Sequence, residues 1–276
     1  MVDPANEIVI EPTGRRGGVL NDLWQYRELM GFLIWRDLIS RYKQTVIGIA
    51  WAVVRPLVTV VTFTVVFGRL AALPSGGIPY SLVVAAGTLP WQFFSSAVAA
   101  SASSLVGSSN LITKVFFPRL VVPVAAVFFN FVDLAICLLL VIVYATVVGV
   151  SPGWQLLALP LFLGLCAILA IGIGILMATL NVVYRDIQHV LPFLLQVGLF
   201  VSPVGFETAV VPATWRNLFV LNPLVGIING CRWSVSGGII PLDPLAIGAA
   251  VVVTGGALVI GLHVFERTES RFADII

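Results

Sequence analysis

Arg36, Arg41, Lys43 and Arg55 fall close together near the N-terminus. Several cations held at one level can grip a phosphate or diphosphate through charge-assisted hydrogen bonds, and they can equally anchor a chain on anionic lipid. The residues alone leave both uses open. Other groups capable of chemistry are sparse. Asp133 stands in an apolar stretch, where a carboxylate serves either in a proton relay or as an acceptor for a neighbouring helix. No His, Lys or Arg accompanies it there, so a hydrogen bond from a Ser, Thr or Asn is the expected role. His189 and His263 lack ligand-spaced company, and Cys137, Cys166 and Cys231 have no paired spacing, so neither a metal site nor a disulfide framework is expected. Gly172-Ile173-Gly174 lacks the third glycine and the preceding strand of a dinucleotide loop. The chain also has no G-x-x-x-x-G-K-[ST] loop to cradle a nucleotide's phosphates. A membrane-embedded transferase would need several convergent acids, bases or metal ligands, which one aspartate cannot supply.

The elements that carry these residues follow from hydropathy. Of 276 residues, 59% are hydrophobic and 10% charged, too little polar surface to cover a soluble globule. The apolar stretches run on without alternation, which indicates membrane helices and not a barrel. We place six spans at about 52–71, 80–104, 121–149, 157–182, 189–205 and 244–264. The predicted fold is therefore an all-α integral membrane protein. Residues 1–19 read as a flexible tail with no removable signal before the first span. Residues 20–45, from a cap at Asn21 to about Gln44, read as an amphipathic interfacial helix with Asp37 and Arg41 at ion-pair spacing. The six-span domain then covers 46–266, and 267–276 form a second tail. Between spans five and six, 206–240 is apolar in patches but broken by Asn222-Pro223, Asn229 and Arg232, and reads as a pair of short re-entrant or interfacial helices.

Charge sets the orientation. With this placement, only Arg69, Arg216 and Arg232 of the 15 Lys and Arg residues fall on the side opposite the termini, so the positive-inside rule puts both termini in the cytoplasm. A net charge of +2 argues against a nucleic-acid surface. A secondary transporter would show paired midplane charges and an inverted repeat, and neither is visible.

Trp35-Arg36-Asp37-Leu38 to Arg41-Tyr42-Lys43-Gln44, followed by Gly48, Trp51 and Pro56, resembles the N-terminal signature of type-two ABC exporter permeases. Asn110-Leu111-Ile112-Thr113-Lys114 with Phe117-Pro118-Arg119, then Tyr184-Arg185-Asp186-Ile187, Ser202-Pro203-Val204 and Asn222-Pro223-Leu224, are similar to that family's later motifs, in order. The likeness covers about residues 20–265. It is closest to Wzm-type O-antigen polysaccharide permeases, with teichoic acid and capsule permeases as near relatives.

The resemblance implies a permease homodimer in a bacterial cytoplasmic membrane, joined by two ATPase subunits that bind ATP and Mg, with a path for lipid-linked polysaccharide between the two permease copies. It casts the 105–120 loop as the coupling segment, with Asn110, Leu111, Lys114, Phe116, Phe117 and Arg119 offered to the ATPase; otherwise these residues seat the loop on the bilayer. Arg36, Arg41, Lys43 and Arg55 become candidates for the diphosphate of the lipid anchor. Phe63, Phe67 and Trp91 could line the path with rings on which sugars stack, or could simply pack or face lipid. The same fold moving teichoic acid, capsule or a small amphipathic drug is the alternative.

Overall fold

The computed structural model describes residues 23–43, 50–115, 117–151, 153–269 and 272. The predicted tail 1–19, Asn21, Gln44, Gly48, Phe116 and most of 267–276 lie outside them. Helices joined by turns and loops make up the described residues, with no strand among them.

Helix α1 (Arg27–Lys43) follows a short helical turn at 23–25. Helix α2 (Ala50–Phe63) holds Pro56 within its second turn and runs on directly into a π-helix, Thr64–Leu70. A turn with Gly76 and Gly77 at positive φ leads into α3 (Tyr80–Gly107). Next come the short α4 (Ser109–Lys114), α5 (Val121–Phe128), α6 (Phe131–Val147), α7 (Leu159–Val183) and α8 (Ile187–Val201). Helices α9 (Ala213–Val220), α10 (Pro223–Val235) and α11 (Pro244–Thr268) complete the chain.

Five stretches are long and apolar enough to cross a membrane: α2 with its π-helix, α3, α5 with α6, α7 with its leading 3-10 turn, and α11. Helices α9 and α10 meet at 95° and make a sixth only if counted as one bent span. The placement of span five at 189–205 needs correction. The α8 helix stops at Val201, because Ser202 precedes Pro203 and takes an extended conformation (φ −97°, ψ 149°). Its 15 residues rise about 22 Å, short of the hydrocarbon thickness. Span three is interrupted at Phe129 and Asn130, where the Asn130 side chain donates to the Ala126 carbonyl (2.8 Å).

Helix α3 is the centre of the bundle and is buried along most of its length. Its run of Ser, Ala and Gly lets α7 and α5 approach closely, with Ser101 donating to Pro123 O and Asn181 donating to Ala102 O. Helices α7 and α11 cross with backbones almost touching: a Cβ on Gly172 would sit 2.7 Å from Leu258 N. In contrast, α2 has no buried residue and α8 has only Leu191. Of the interruptions expected in 206–240, Asn222-Pro223 does separate α9 from α10, whereas Asn229 and Arg232 do not interrupt α10. Asn222 caps α10 by accepting from Leu224 N (3.0 Å), Pro223 occupies its first turn, and Asn229 and Arg232 lie within a buried helix.

Candidate functional site

Of the cations near the N-terminus, Arg41 and Arg55 line a cleft of about 570 Å³ between the end of α1 and helices α2, α3 and α6, while Arg36 and Lys43 lie outside its lining. Arg41, Tyr42, Trp51, Arg55, Gln92, Ser95, Ser96 and Asp133 line it. The four candidate cations are not equivalent there. Arg36 pairs with its neighbour Asp37 at 2.8 Å. The expected Asp37–Arg41 pair does not form, because Arg41 turns into the bundle and meets Asp133 at 3.0 Å. Arg41 also donates to Asn130 Oδ1 (3.1 Å) and lies over the Phe129 ring. Asp133 accepts a second hydrogen bond from the Tyr42 hydroxyl. Its partners are therefore an arginine and a phenol from α1, not the Ser, Thr or Asn expected from the sequence. Burial, then the hydrogen bond to Asp133 and that carboxylate's charge, push the Tyr42 hydroxyl up to about 12, so it stays a donor at any physiological pH.

This cluster clamps the end of α1 onto the break between α5 and α6. It also consumes the positive charge of Arg41. Lys43 and Arg55 remain exposed, and Arg55 has no acidic partner among the described residues.

The candidate coupling segment divides into an exposed tip and a buried root. Asn110, Thr113, Lys114 and Val115 are exposed, and Leu111 is half-buried. Phe117, among the residues expected to meet the ATPase, is instead buried, as is Ile112: Phe117 is 6% accessible and packs in a cluster with Leu33, Leu120, Phe265 and Phe272. Arg119 donates to Glu269 O and lies over the Phe272 ring. The segment is thereby tied to both α1 and the end of α11. Phe116 lies outside the described residues.

Phe63 and Phe67 stack edge to face at 5.4 Å and press on the backbone of Gly205, just beyond α8. Both are half-buried. Trp91 is 6% accessible and sits inside the core against Gly198 and Phe94, so it presents no face to a path.

At the far end of the bundle lies a polar knot that sequence reasoning missed. Arg232, read from the sequence as an orientation charge and as an interruption of 206–240, is 1% accessible and donates to the carbonyls of Val83 (3.1 Å), Val204 (3.1 Å) and Phe206 (3.0 Å). The Tyr80 hydroxyl donates to Gly205 O, Asn222 to Ser202 Oγ (3.0 Å), and Asn229 to Thr208 Oγ1 (2.9 Å). Together they hold 202–208 in an irregular path after α8. Burial raises the pKa of Glu207 beside them, against the pull of Arg232. The readable signal was an arginine in an otherwise apolar run, which requires partners at membrane depth. Among the described residues no cluster of His, Cys, Asp and Glu could hold a metal, and all three cysteines are buried and free.

Comparison with known proteins adds one family and three relatives. Residues 28–235 match the profile of the family described as ABC-2 type transporter. The O-antigen export system permease protein RfbA of Myxococcus xanthus is 28% identical over 261 residues, 94% of this chain and 99% of that protein. An RfbA of Klebsiella pneumoniae is 27% identical (87% and 92% covered), and the polysialic acid transport protein KpsM of Escherichia coli is 24% identical (86% and 92%).

Proposed function

This chain belongs to the ABC-2 type transporter family, and from that membership we propose that it is the membrane subunit of a bacterial exporter that carries a lipid-linked, O-antigen-like polysaccharide across the cytoplasmic membrane. ATP would be hydrolysed, with Mg, on a separate subunit. Two copies of this chain and two ATPase subunits form the working unit, with both termini of each permease in the cytoplasm. The observation that carries this reading is end-to-end similarity to permeases named for O-antigen export, over 94% of the chain.

The geometry supports a division of labour. Arg55, which lines the 570 Å³ cleft, takes the anionic head of the lipid anchor, with the exposed Lys43 as a second cation on the same side. Arg36 and Arg41 act indirectly, since Asp37 and Asp133 already hold them. The exposed tip of α4, Asn110 and Lys114 with Leu111 beside them, meets the ATPase, together with Phe116. Phe117 and Arg119 form the root that passes its movement into the bundle through contacts with α1 and the end of α11. The glycan passes between the two copies along the exposed faces of α2 and α8, where Phe63 and Phe67 offer ring edges to sugars. The bent pair α9–α10 re-enters the membrane at the exit. Another polysaccharide cargo, a teichoic acid, or a small amphipathic drug is the second reading, and the likeness to a polysialic acid transport protein favours the first of these.

The test is ATPase activity of the purified chain alone and with its co-purifying subunits, with and without lipid-linked polysaccharide. Activity confined to the complex and changed by the glycan lipid is the expected result. A chain that captures no nucleotide-binding partner would overturn the exporter reading, and a complex indifferent to the glycan lipid would overturn the cargo.

A further inference from the structure

The cleft that holds Arg55 differs in chemistry from one end to the other. Pro56, Leu89 and Cys137 line it and also line a second cavity of about 540 Å³, so the two are continuous. Beyond this shared ring the wall of the second cavity is mainly apolar. In the other direction the lining turns polar. Arg55 adjoins Pro56, Gln92 follows Leu89 by one helical turn, and Asp133 precedes Cys137 by one turn. Trp51 and Ser96 stand a further turn on, each counted along its own helix.

Gln92 lies near the middle of the 28-residue α3, a depth at which a polar side chain in a membrane helix either bonds to a neighbour or faces a pathway. Gln92 and Ser96 make no side-chain hydrogen bond among the described residues, and the intervening Ser95 returns its hydroxyl to Gln92 O (3.2 Å). Both are half-buried, and neither the amide nor the hydroxyl is sealed from water as the Thr88 hydroxyl is. An amide and a hydroxyl open to a cleft match the hydroxyls of a sugar, which donate and accept. On α2, Trp51 is 44% exposed and supplies an aromatic surface to the same cleft. Asp133 does not set an uncompensated negative charge against an anion there, since Arg41 pairs with it at 3.0 Å and Tyr42 donates to it.

A lipid-linked glycan has three parts in fixed covalent order: tail, diphosphate and first sugar. The cavity and the cleft offer three surfaces in the same order: an apolar wall, then Arg55, then Gln92, Ser96 and Trp51. We propose that this cleft reads the first sugar of the cargo, the one joined directly to the diphosphate, through Gln92, Ser96 and Trp51 while Arg55 holds the diphosphate. This inference rests on the lipid-linked cargo proposed above, and it adds a determinant of which glycan is accepted. Diphosphate and sugar stay joined throughout. They occupy the cleft together before crossing, with the rest of the glycan extending from its mouth, and they leave it together for the path between the two copies.

The test is binding to the complete permease–ATPase complex in nanodiscs, read by competition against a fluorescent polyprenyl diphosphate. The competitors are polyprenyl diphosphate, bare or carrying one glucose, galactose, N-acetylglucosamine or N-acetylgalactosamine. Wild type should hold at least one sugar-bearing lipid about tenfold more tightly than the bare one, the worth of one or two hydrogen bonds. Gln92→Leu with Ser96→Ala should erase that advantage. Affinity for the bare lipid and the melting temperature should stay as they were, since neither side chain bonds within the protein. Trp51→Ala, at an exposed position, should shrink the same advantage and keeps the test open if the double variant folds poorly. Arg55→Gln should weaken bare and sugar-bearing lipids alike, by about tenfold, the cost of a hydrogen bond to a charged group. Equal binding of bare and sugar-bearing lipids by wild type, or full preference retained in the Gln92, Ser96 and Trp51 variants, would overturn the sugar site and leave the cargo reading standing. A wild-type complex that binds none of these lipids would remove the cargo reading itself, a result distinct from failure of the variants.

Discussion

Replacing Arg232 with Ala should loosen the far end of the bundle. The guanidinium is 1% accessible and spends its donors on three carbonyls at 3.0–3.1 Å. Val83 O belongs to α3, but Val204 O and Phe206 O lie in the irregular segment after α8, where helical partners are lacking. Removing the side chain takes away three charge-assisted hydrogen bonds and leaves buried acceptors behind. Breaking such an arrangement from one side costs about 3–5 kcal/mol. The arginine's own desolvation is relieved at the same time, which keeps the net below the sum of three charged hydrogen bonds. Arg232→Lys should fall between the two, since an ammonium is a point donor that cannot span three divergent carbonyls. The assay is thermal unfolding of the purified permease, combined with protease accessibility of 202–212 in vesicles. Arg232→Ala should lower the melting temperature and expose that segment. An Arg232→Ala protein within about 0.5 kcal/mol of wild type, with 202–212 still protected, would refute the clamp.

The Arg41–Asp133 pair should show as coupling: Asp133→Asn is expected to cost about 1–2 kcal/mol, less than a fully buried pair because both side chains keep some water contact. A double-mutant cycle with Arg41→Gln reads the coupling directly, and additive effects would contradict the pairing. Asp37→Asn should be nearly silent in the same stability assay, because its partner Arg36 is exposed. Phe117→Ala is expected to cost about 3–5 kcal/mol of stability, while Val115→Asp, at an exposed site, should leave melting unchanged and weaken co-purification of the ATPase. The reverse pattern would restore Phe117 as a docking residue. Gly172→Leu should cost at least about 3 kcal/mol by forcing α7 from α11, whereas Gly255→Ala, with nothing near its Cβ position, should stay within about 0.5 kcal/mol on chemical denaturation.

Hydropathy made most of the helices legible, because a run of apolar residues has few other places to go. The starts of α2, α3 and α11 fall close to the expected positions for that reason. The end of α8 was also readable, since Pro203 biases Ser202 toward extended backbone, but the apolar composition of 202–205 masked it. The interruption at Phe129 and Asn130 carries no proline or glycine, so no local residue announces it. The site was less legible because its decisive contacts are distant in sequence. Asp133 finds Tyr42 across some ninety residues, and nothing local in either segment specifies the meeting. Phe117 looked exposed beside Lys114 because Leu33, Phe265 and Phe272, which cover it, come from the two ends of the chain. Arg232 was misread for a different reason: a charge count treats each cation as a marker of sidedness and does not ask where its donors go.

The most direct measurement is made in cells that lack this chain and depend on it for surface polysaccharide. Lipid-linked glycan should then accumulate on the cytoplasmic face, and restoring the chain together with its ATPase should return polysaccharide to the outside. Restoring it with an ATPase unable to hydrolyse ATP should not. Normal surface polysaccharide without the chain, or rescue by the inactive ATPase, would contradict an ATP-driven polysaccharide exporter.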